Sequence, residues 1–500
     1  MDFIMNLPFA TIVFSLFSAV ICFAFKDNKA RFVSYFLLIA SGIMSASVIF
    51  YNLTSETGYF VYRMGHYDAP IGNEISAGLL EPAFLLLFEV VMLLSLSGGS
   101  HRIMKDVEEA KQKYFCIMVN LTHAALAALC YTNDIFTGYV FIEICTIASC
   151  SLLMLSKKTR ALVAATRYMV FSLIGSSLVL VGIILLYAIT GHLLFPQLYS
   201  TIQELWATGE YTFPLTIALG LIVSGLAIKS GMFPFHFWMP DTYGTATPSS
   251  SAILSGLISK AYILVLIKVI YRVIGFEVFS KTAITDVLFI FGVIGMIVGS
   301  LSAIKENNIN RMIAFSSAAQ IGYIYMGLGL GTTEGTVAAI FHIVTHALTK
   351  PLLFLAADRL EAVSGNSKKF ANLTGAAHRN RLAGLAFTAG SLSMIGIPGF
   401  MGFMSKLQFA TSAMAVPGKL VLTMAALAIS TLLNTLYFFR TVMRIYTPAL
   451  DSPYFGHRVH AKQQRTFVVA AICFMVLNLL FGLQSQPVID LLTKGLSLFH

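Results

Sequence analysis

The sequence predicts an all-α polytopic membrane protein of about fourteen transmembrane helices, with two inverted five-helix repeats and interrupted seventh and twelfth helices. Three observations carry that class. The 500 residues are 57% hydrophobic and only 11% charged, where a soluble chain carries about 25% charged residues. Apolar runs of about 20 residues, the length that crosses a bilayer core, recur from end to end. The basic residues also alternate in step with those runs. If the loop after the first span is called inside, 23 of the 33 lysines and arginines fall in inside loops, 5 in outside segments and 5 within spans. That asymmetry orients the chain with its basic loops cytoplasmic and both termini outside. It also accounts for the net charge of +10 without nucleic acid, since no basic loop is long or interleaved with aromatics.

In order, the spans are expected at 4–25, 32–53, 77–97, 113–132, 134–155, 165–190, 212–234, 248–272, 284–304, 311–330, 333–357, 383–413, 418–446 and 466–486. The start, MDFIMNLPFATIVFSLF, has no basic leader region and reads as a retained first span. The seventh, eleventh and twelfth runs contain Pro or Lys and are expected to be interrupted. The tail QSQPVIDLLTKGLSLFH is too short to span and reads as an interfacial amphipathic helix. Residues 1–112 then hold the first three helices, and 113–272 and 273–446 the two inverted repeats. Residues 447–500 hold the last helix and the tail. The six cysteines form no CxxC pair and read as small buried hydrophobes.

Ionisable residues inside spans are costly and mark function. Glu89 lies in LLLFEVVMLL and Glu143 in YVFIEICTIASCSLL. Lys229 and Lys260 flank the Pro- and aromatic-rich segment KSGMFPFHFWMPDTYGTATPSSSAILSGLISKA. His342, His346 and Lys350 recur every four residues in FHIVTHALTKPLLFL, on one helical face. Lys406 follows the break GIPGFMGFMSK. Side chains of this kind on separate helices suit a proton path, because neighbouring charges switch their protonation. Glu143 and Lys229 are expected to pair, and Lys229 and Lys406 to be counterparts in the two repeats. Lys268, near a span end, is expected to snorkel. Glu89 is a secondary candidate, with a partner in a neighbouring subunit as one reading. His236 reads either as a relay or as a donor to backbone freed by Pro234 and Pro240. Lys350 and Asp241 complete the secondary set. A metal site at His342 and His346 lacks a third ligand in nearby sequence. The Gly-rich GLGLGTTEG follows a span rather than a strand, which argues against phosphate binding.

The stretch from Lys229 to Ala261 resembles a signature of the antiporter-like subunits shared by respiratory complex I, Mrp-type sodium/proton antiporters and membrane-bound hydrogenases. The usual form is P-x-H-x-W-L-P-D-A-x-x-x-A-P-T-x-x-S-x-x-L followed by a lysine. FIEICTIASCSLL, FHIVTHALTKPLLFL and GIPGFMGFMSK agree in order, over about Tyr114 to Lys406. The resemblance implies that Glu143 and Lys229 form a coupling pair, that Lys260 is the central relay lysine, and that His342 and His346 hand protons to Lys406. It implies no cofactor in this subunit. It implies partners instead: sister antiporter-like subunits, small membrane subunits and a redox or hydrogenase module. On this reading the chain is the non-redox, ion-moving part of a translocase linked to NADH, ferredoxin or hydrogen, or of a non-enzymatic antiporter complex. The ion is the proton, with sodium as the alternative, and the setting is a prokaryotic cell membrane. TYGTATPS departs from the family's AHxEAPTP, and the chain lacks the long lateral helix of the largest complex I subunit. Two other functions compete: a self-sufficient sodium/proton antiporter, and a haem- or quinone-holding redox subunit with His123 and His346 as loose ligands.

Overall fold

The computed structural model describes residues 2–67, 72–448 and 465–499; Arg458 and Lys462 of the basic-loop count lie outside them. Apolar helices account for nearly all of it. They are α1 (Leu7–Ala24), α2 (Asp27–Thr54), α3 (Leu80–Asp106), α4 (Gln112–Tyr131), α5 (Ile135–Met154) and α6 (Thr159–Thr190). Then come α7 (Thr212–Ser230), α8 (Pro248–Ile274), α9 (Ile284–Lys305), α10 (Ile309–Gly329) and α11 (Thr333–Ala362). The chain ends with α12 (Arg381–Ile395), α13 (Met401–Met414), α14 (Pro417–Tyr446), α15 (Arg465–Leu483) and α16 (Gln486–Ser497). Among the described residues, 12 helices are long and apolar enough to cross a membrane, and each falls on a predicted span. The expected tenth span coincides with α10 and the expected twelfth with the broken pair α12 and α13; none of these three helices is among the 12.

Local chemistry sets the helix ends. Asp134 accepts the Thr137 amide at 2.6 Å to start α5, and Thr332 accepts the Gly335 amide at 3.0 Å to start α11. The two breaks use one device. Gly231 (φ 79°) ends α7 and Gly396 (φ 92°) ends α12, each in the left-handed region that only glycine enters cheaply. Pro234 and Pro398 follow and prevent immediate resumption. The chain turns helical again at Phe235–Trp238 and Met239–Thr245 after the first break, and at α13 after the second.

One expectation about the spans is corrected: the eleventh is not interrupted, and α11 runs for 30 residues with Pro351 inside it. The eighth span contains π-helical turns at Leu254–Ile258 and Val269–Ile274. One short hairpin accompanies the helices. Phe60–Arg63 pairs antiparallel with Glu74–Ala77 between α2 and α3, with Phe60 opposite Ala77. The tail does fold as an amphipathic helix, α16, with Ile489, Leu492 and Leu496 buried.

Burial divides the helices into a centre and a periphery. The most apolar stretch of α8 is 100% buried and that of α11 is 94% buried, against 33% for α2, α14 and α15. Exposed Phe32, Phe36, Leu432 and Val469 give the outer helices a lipid-compatible surface. The basic loops gather at one end. Val107 bridges Ser156, Asn308 bridges Lys369, and Lys368 Nζ donates to the Gly244 carbonyl at 2.6 Å. The opposite end is closed by the hairpin, where Ile75 bridges Thr132 and Asp134 bridges Leu194.

Candidate functional site

Lys229 lies in the last turn of α7, immediately before the first break, and is 1% exposed. Its Nζ is 3.3 Å from Glu143 Oε1 on α5 and donates to Thr146 Oγ1 at 2.8 Å. Ser176 on α6 donates to the same Glu143 oxygen. Two glycines allow this approach of α6 and α7: a Cβ at Gly225 would lie 2.5 Å from the Gly175 carbonyl oxygen. The Glu143–Lys229 pair expected from sequence is therefore present. Thr146 continues it to Tyr262 on α8, whose hydroxyl is 3.1 Å from Thr146 Oγ1 and whose ring lies 5.4 Å from Lys229 Nζ.

Lys260, two residues away from Tyr262, is fully buried. Its ammonium donates to the Ser255 carbonyl, inside the first π-helical turn. π-turns inside α-helices occur frequently at functional sites. Across from it, His346 sits within electrostatic reach of Lys260, Lys350 and His342. His342 in turn lies within electrostatic reach of Lys406, Lys260 and Lys350. The His342 and His346 rings are 6.5 Å apart. His342 Nδ1 is 2.7 Å from Ser405 Oγ, next to Lys406, and its ring stacks on Tyr323 at 5.2 Å. Three buried imidazole nitrogens, His342 Nε2 and both of His346, have no protein partner among the described residues. Buried polar groups normally find one, in protein or ordered water.

Lys406 closes the second break. Its Nζ donates to the Ile395 carbonyl at 2.5 Å, the last residue of α12, and to Thr431 Oγ1 at 2.8 Å. Lys350 turns aside: it donates to the Ile313 carbonyl at 3.1 Å and to Ser316 Oγ on α10.

Other candidates sit elsewhere. Asp241 bridges Arg167 and Arg311, and Arg311 also holds Glu306 at 2.9 Å. Asp241, Arg167 and Arg311 line a surface cavity of about 610 Å³ at the basic end, together with Lys158, Arg160 and Lys368. Desolvation holds the Lys368 ammonium below the usual lysine range, against the opposing pull of Glu361. His236 is buried against Phe237, with ring centres 4.5 Å apart, and neither ring nitrogen has a protein partner. It is thus not a donor to the freed backbone. Lys268 does not snorkel. It is fully buried, donating to the Cys130 and Thr132 carbonyls where α4 ends and leaves them unbonded. Glu89 needs no neighbouring subunit, because its partners are His123, Ser41 and Ser45 of this chain.

Residues 132–434 match the family model described as NADH:quinone oxidoreductase/Mrp antiporter, TM. The chain belongs to this family. The matched stretch includes every residue from Glu143 through Lys406. The NADH-quinone oxidoreductase subunit N of Desulforudis audaxviator is 29% identical over 456 residues, covering 90% of this chain and 88% of that protein. A Na(+)/H(+) antiporter subunit of Alkalihalophilus pseudofirmus is 26% identical over 485 residues, covering 95% and 93%. Among solved structures, a chain of the membrane-bound sulfane sulfur reductase, an archaeal respiratory membrane complex, superposes with a TM-score of 0.87 at 25% identity, covering 100% of this chain and 98% of that one. A chain of the Mrp complex from Dietzia sp. gives 0.87 at 22% identity, covering 99% and 97%, and shows the shared fold.

The sequence did not single out Thr146, Tyr262, Ser405 or Thr431. Hydroxyl residues are common in membrane helices, and only packing distinguishes the ones that touch a lysine.

Proposed function

We propose that this family member is the proton-translocating, antiporter-like subunit of a multisubunit membrane complex, with sodium as the alternative ion. The observation that carries the proposal is the succession of buried and half-buried ionisable groups across the bundle. Glu143 and Lys229 form its first pair, Lys260 its centre, His346 and His342 the bridge, and Lys406 its far end. Successive groups come from different helices except His346 and His342, which share α11, and the helices carrying the middle of the line, α8 and α11, are the most buried.

The chemistry follows from charge coupling in a poorly solvated core. Lys260 has a carbonyl, not a carboxylate, as its partner. Its proton occupancy therefore answers to charge changes at its neighbours. When Glu143 holds Lys229, the positive charge stays at the first break. A shift of that ammonium toward Thr146 and Tyr262 brings positive charge closer to Lys260 and drives its proton toward His346. His342 passes it to Lys406, where α12 and α13 part. Asp241 lines the entrance at the basic end, which faces the cytoplasm of a prokaryotic cell, and buried His236 is a secondary relay; both termini lie outside. Residues 113–272 and 273–446 are inverted repeats, with Lys229 and Lys406 as counterparts at the two breaks. Sister antiporter-like subunits, small membrane subunits and a redox or hydrogenase module are the partners. The names of the relatives support that class of assembly.

The test is coupled ion transport by the assembled complex in vesicles. Glu143→Gln and Lys229→Ala each abolish it while the complex still assembles. Transport at the wild-type rate in either variant contradicts the mechanism.

A further inference from the structure

We infer that Glu89 and His123 form a second proton-holding site, away from the lysine line and within the bundle of α1, α2, α3 and α4. Four helices contribute one side chain or more to it. Glu89 of α3 is 1% exposed and His123 of α4 is fully buried. His123 Nε2 lies 3.4 Å from Glu89 Oε1, and His123 Nδ1 lies 2.8 Å from Ser15 Oγ of α1. From α2, Ser41 donates to Glu89 Oε1, and Ser45 donates to it at 3.2 Å. Among the described residues, the second carboxyl oxygen, Oε2, is buried with no protein partner. It lies near Gly42, where an added Cβ would stand 3.7 Å away, at ordinary van der Waals contact.

The charge balance makes such a pair a proton carrier. An unpaired carboxylate in an apolar core is strongly disfavoured. The pair is neutral overall either as carboxylic acid with neutral imidazole or as carboxylate with imidazolium. Both forms contain one transferable proton, and its movement breaks the Glu89 O–H bond as the His123 Nε2–H bond forms. The groups facing Glu89 are His123, Ser41 and Ser45, with Ser15 on the far side of the imidazole, and Cys130 and Tyr131 of α4 lie within electrostatic reach. On the other side α3 meets α11 and α15 through apolar residues such as Val344, Leu348 and Phe481. Along α3 itself the nearest acid is Glu81, two turns away and held by Arg272 at 2.8 Å.

Further buried polar groups lie on the same helices. Asn52 of α2 donates to the Ala77 and Gly78 carbonyls at 3.1 and 2.6 Å. Asn120 of α4 donates to Cys22 Sγ at 3.3 Å, and Arg31, Ser34 and Gln112 help to line a small cavity.

The experiment uses the assembled complex. Infrared difference spectra between acidic and alkaline buffer, in water and in deuterium oxide, read titrating carboxyl groups, and vesicle transport reads function. The expected result is a deuterium-sensitive carboxyl band that disappears in Glu89→Gln, persists in Glu143→Gln and shifts in His123→Gln. Transport falls at least tenfold in Glu89→Gln and recovers in part in Glu89→Asp. If Glu89→Gln keeps the band, or transports at the wild-type rate, the inference is overturned. Should the glutamine variant fail to assemble, Ser41→Ala reads the same carboxyl with one donor removed: a band moved to higher frequency supports the site, and an unmoved band overturns it. Transport loss in Glu143→Gln tests the proposed function independently of the Glu89 band.

Discussion

Lys229 differs from the other lysines inside the spans in having a carboxylate for a partner. Lys260 donates to the Ser255 carbonyl, Lys268 to Cys130 and Thr132, Lys350 to Ile313, and Lys406 to Ile395. This explains why one pairing was legible in the sequence and four were not. A glutamate in an apolar run announces itself, whereas every residue carries a carbonyl, and only the fold shows which ones a lysine reaches. His123 was hidden for a related reason: its link to Glu89 depends on how α3 and α4 face each other. The exposure of the two members of the first pair also predicts an asymmetry. The Glu143 side chain is 24% exposed and that of Lys229 is 0% exposed. Removing one partner of a buried pair costs about 3–5 kcal/mol, because the other charge stays behind in the core. Glu143→Gln strands Lys229 and approaches that range. Lys229→Met leaves a carboxylate that is only partly buried and still accepts from Ser176 Oγ, and costs less. Thermal unfolding of the two detergent-solubilised variants checks the order; equal losses would contradict it.

The elements that matter most are the two breaks, and their sequence signals are strong. Glycine followed within a few residues by proline, GMFP at 231–234 and GIPG at 396–399, ends a helix by backbone chemistry alone. Pro351 shows the limit of that rule. It sits in the middle of α11, yet the tightly packed surroundings keep the helix continuous: a Cβ added at Gly256 of α8 would come within 3.0 Å of Pro351 Cγ. The π-turns of α8 carry no comparable sequence mark. At the second break, a Cβ at Gly402 would stand 1.7 Å from the Ser393 carbonyl oxygen. Gly402→Ala must therefore push α13 away from α12 and carry Lys406 off the Ile395 carbonyl. Overpacking of this kind costs about 1–3 kcal/mol, so the melting temperature drops and transport is lost, whereas Gly418→Ala, in open space at the start of α14, changes neither. Normal transport in Gly402→Ala would show that the contact between Lys406 and the end of α12 is dispensable.

At the scale of the whole molecule, hydropathy and basic-residue alternation carried most of the architecture. Twelve predicted spans coincide with long apolar helices, and the basic loops meet at one end through the Val107–Ser156 and Asn308–Lys369 bridges. The hairpin at 60–77 stayed invisible because its two strands are only four residues each. The orientation predicts that cysteines placed at Lys157 and His192 label from opposite faces of the membrane, Lys157 from the cytoplasm; labelling of both from one face would refute it. The proposed dependence on partners predicts that the chain purified alone and reconstituted exchanges no sodium for protons, and exchange without partners would favour a self-sufficient antiporter. The central claim is that protons pass along one line from the first break to the second, and every such passage must cross Lys260. The most direct test is proton uptake into vesicles bearing the complex with Lys260→Ala: uptake falls to background while the complex stays assembled, and uptake at the wild-type rate would contradict the account.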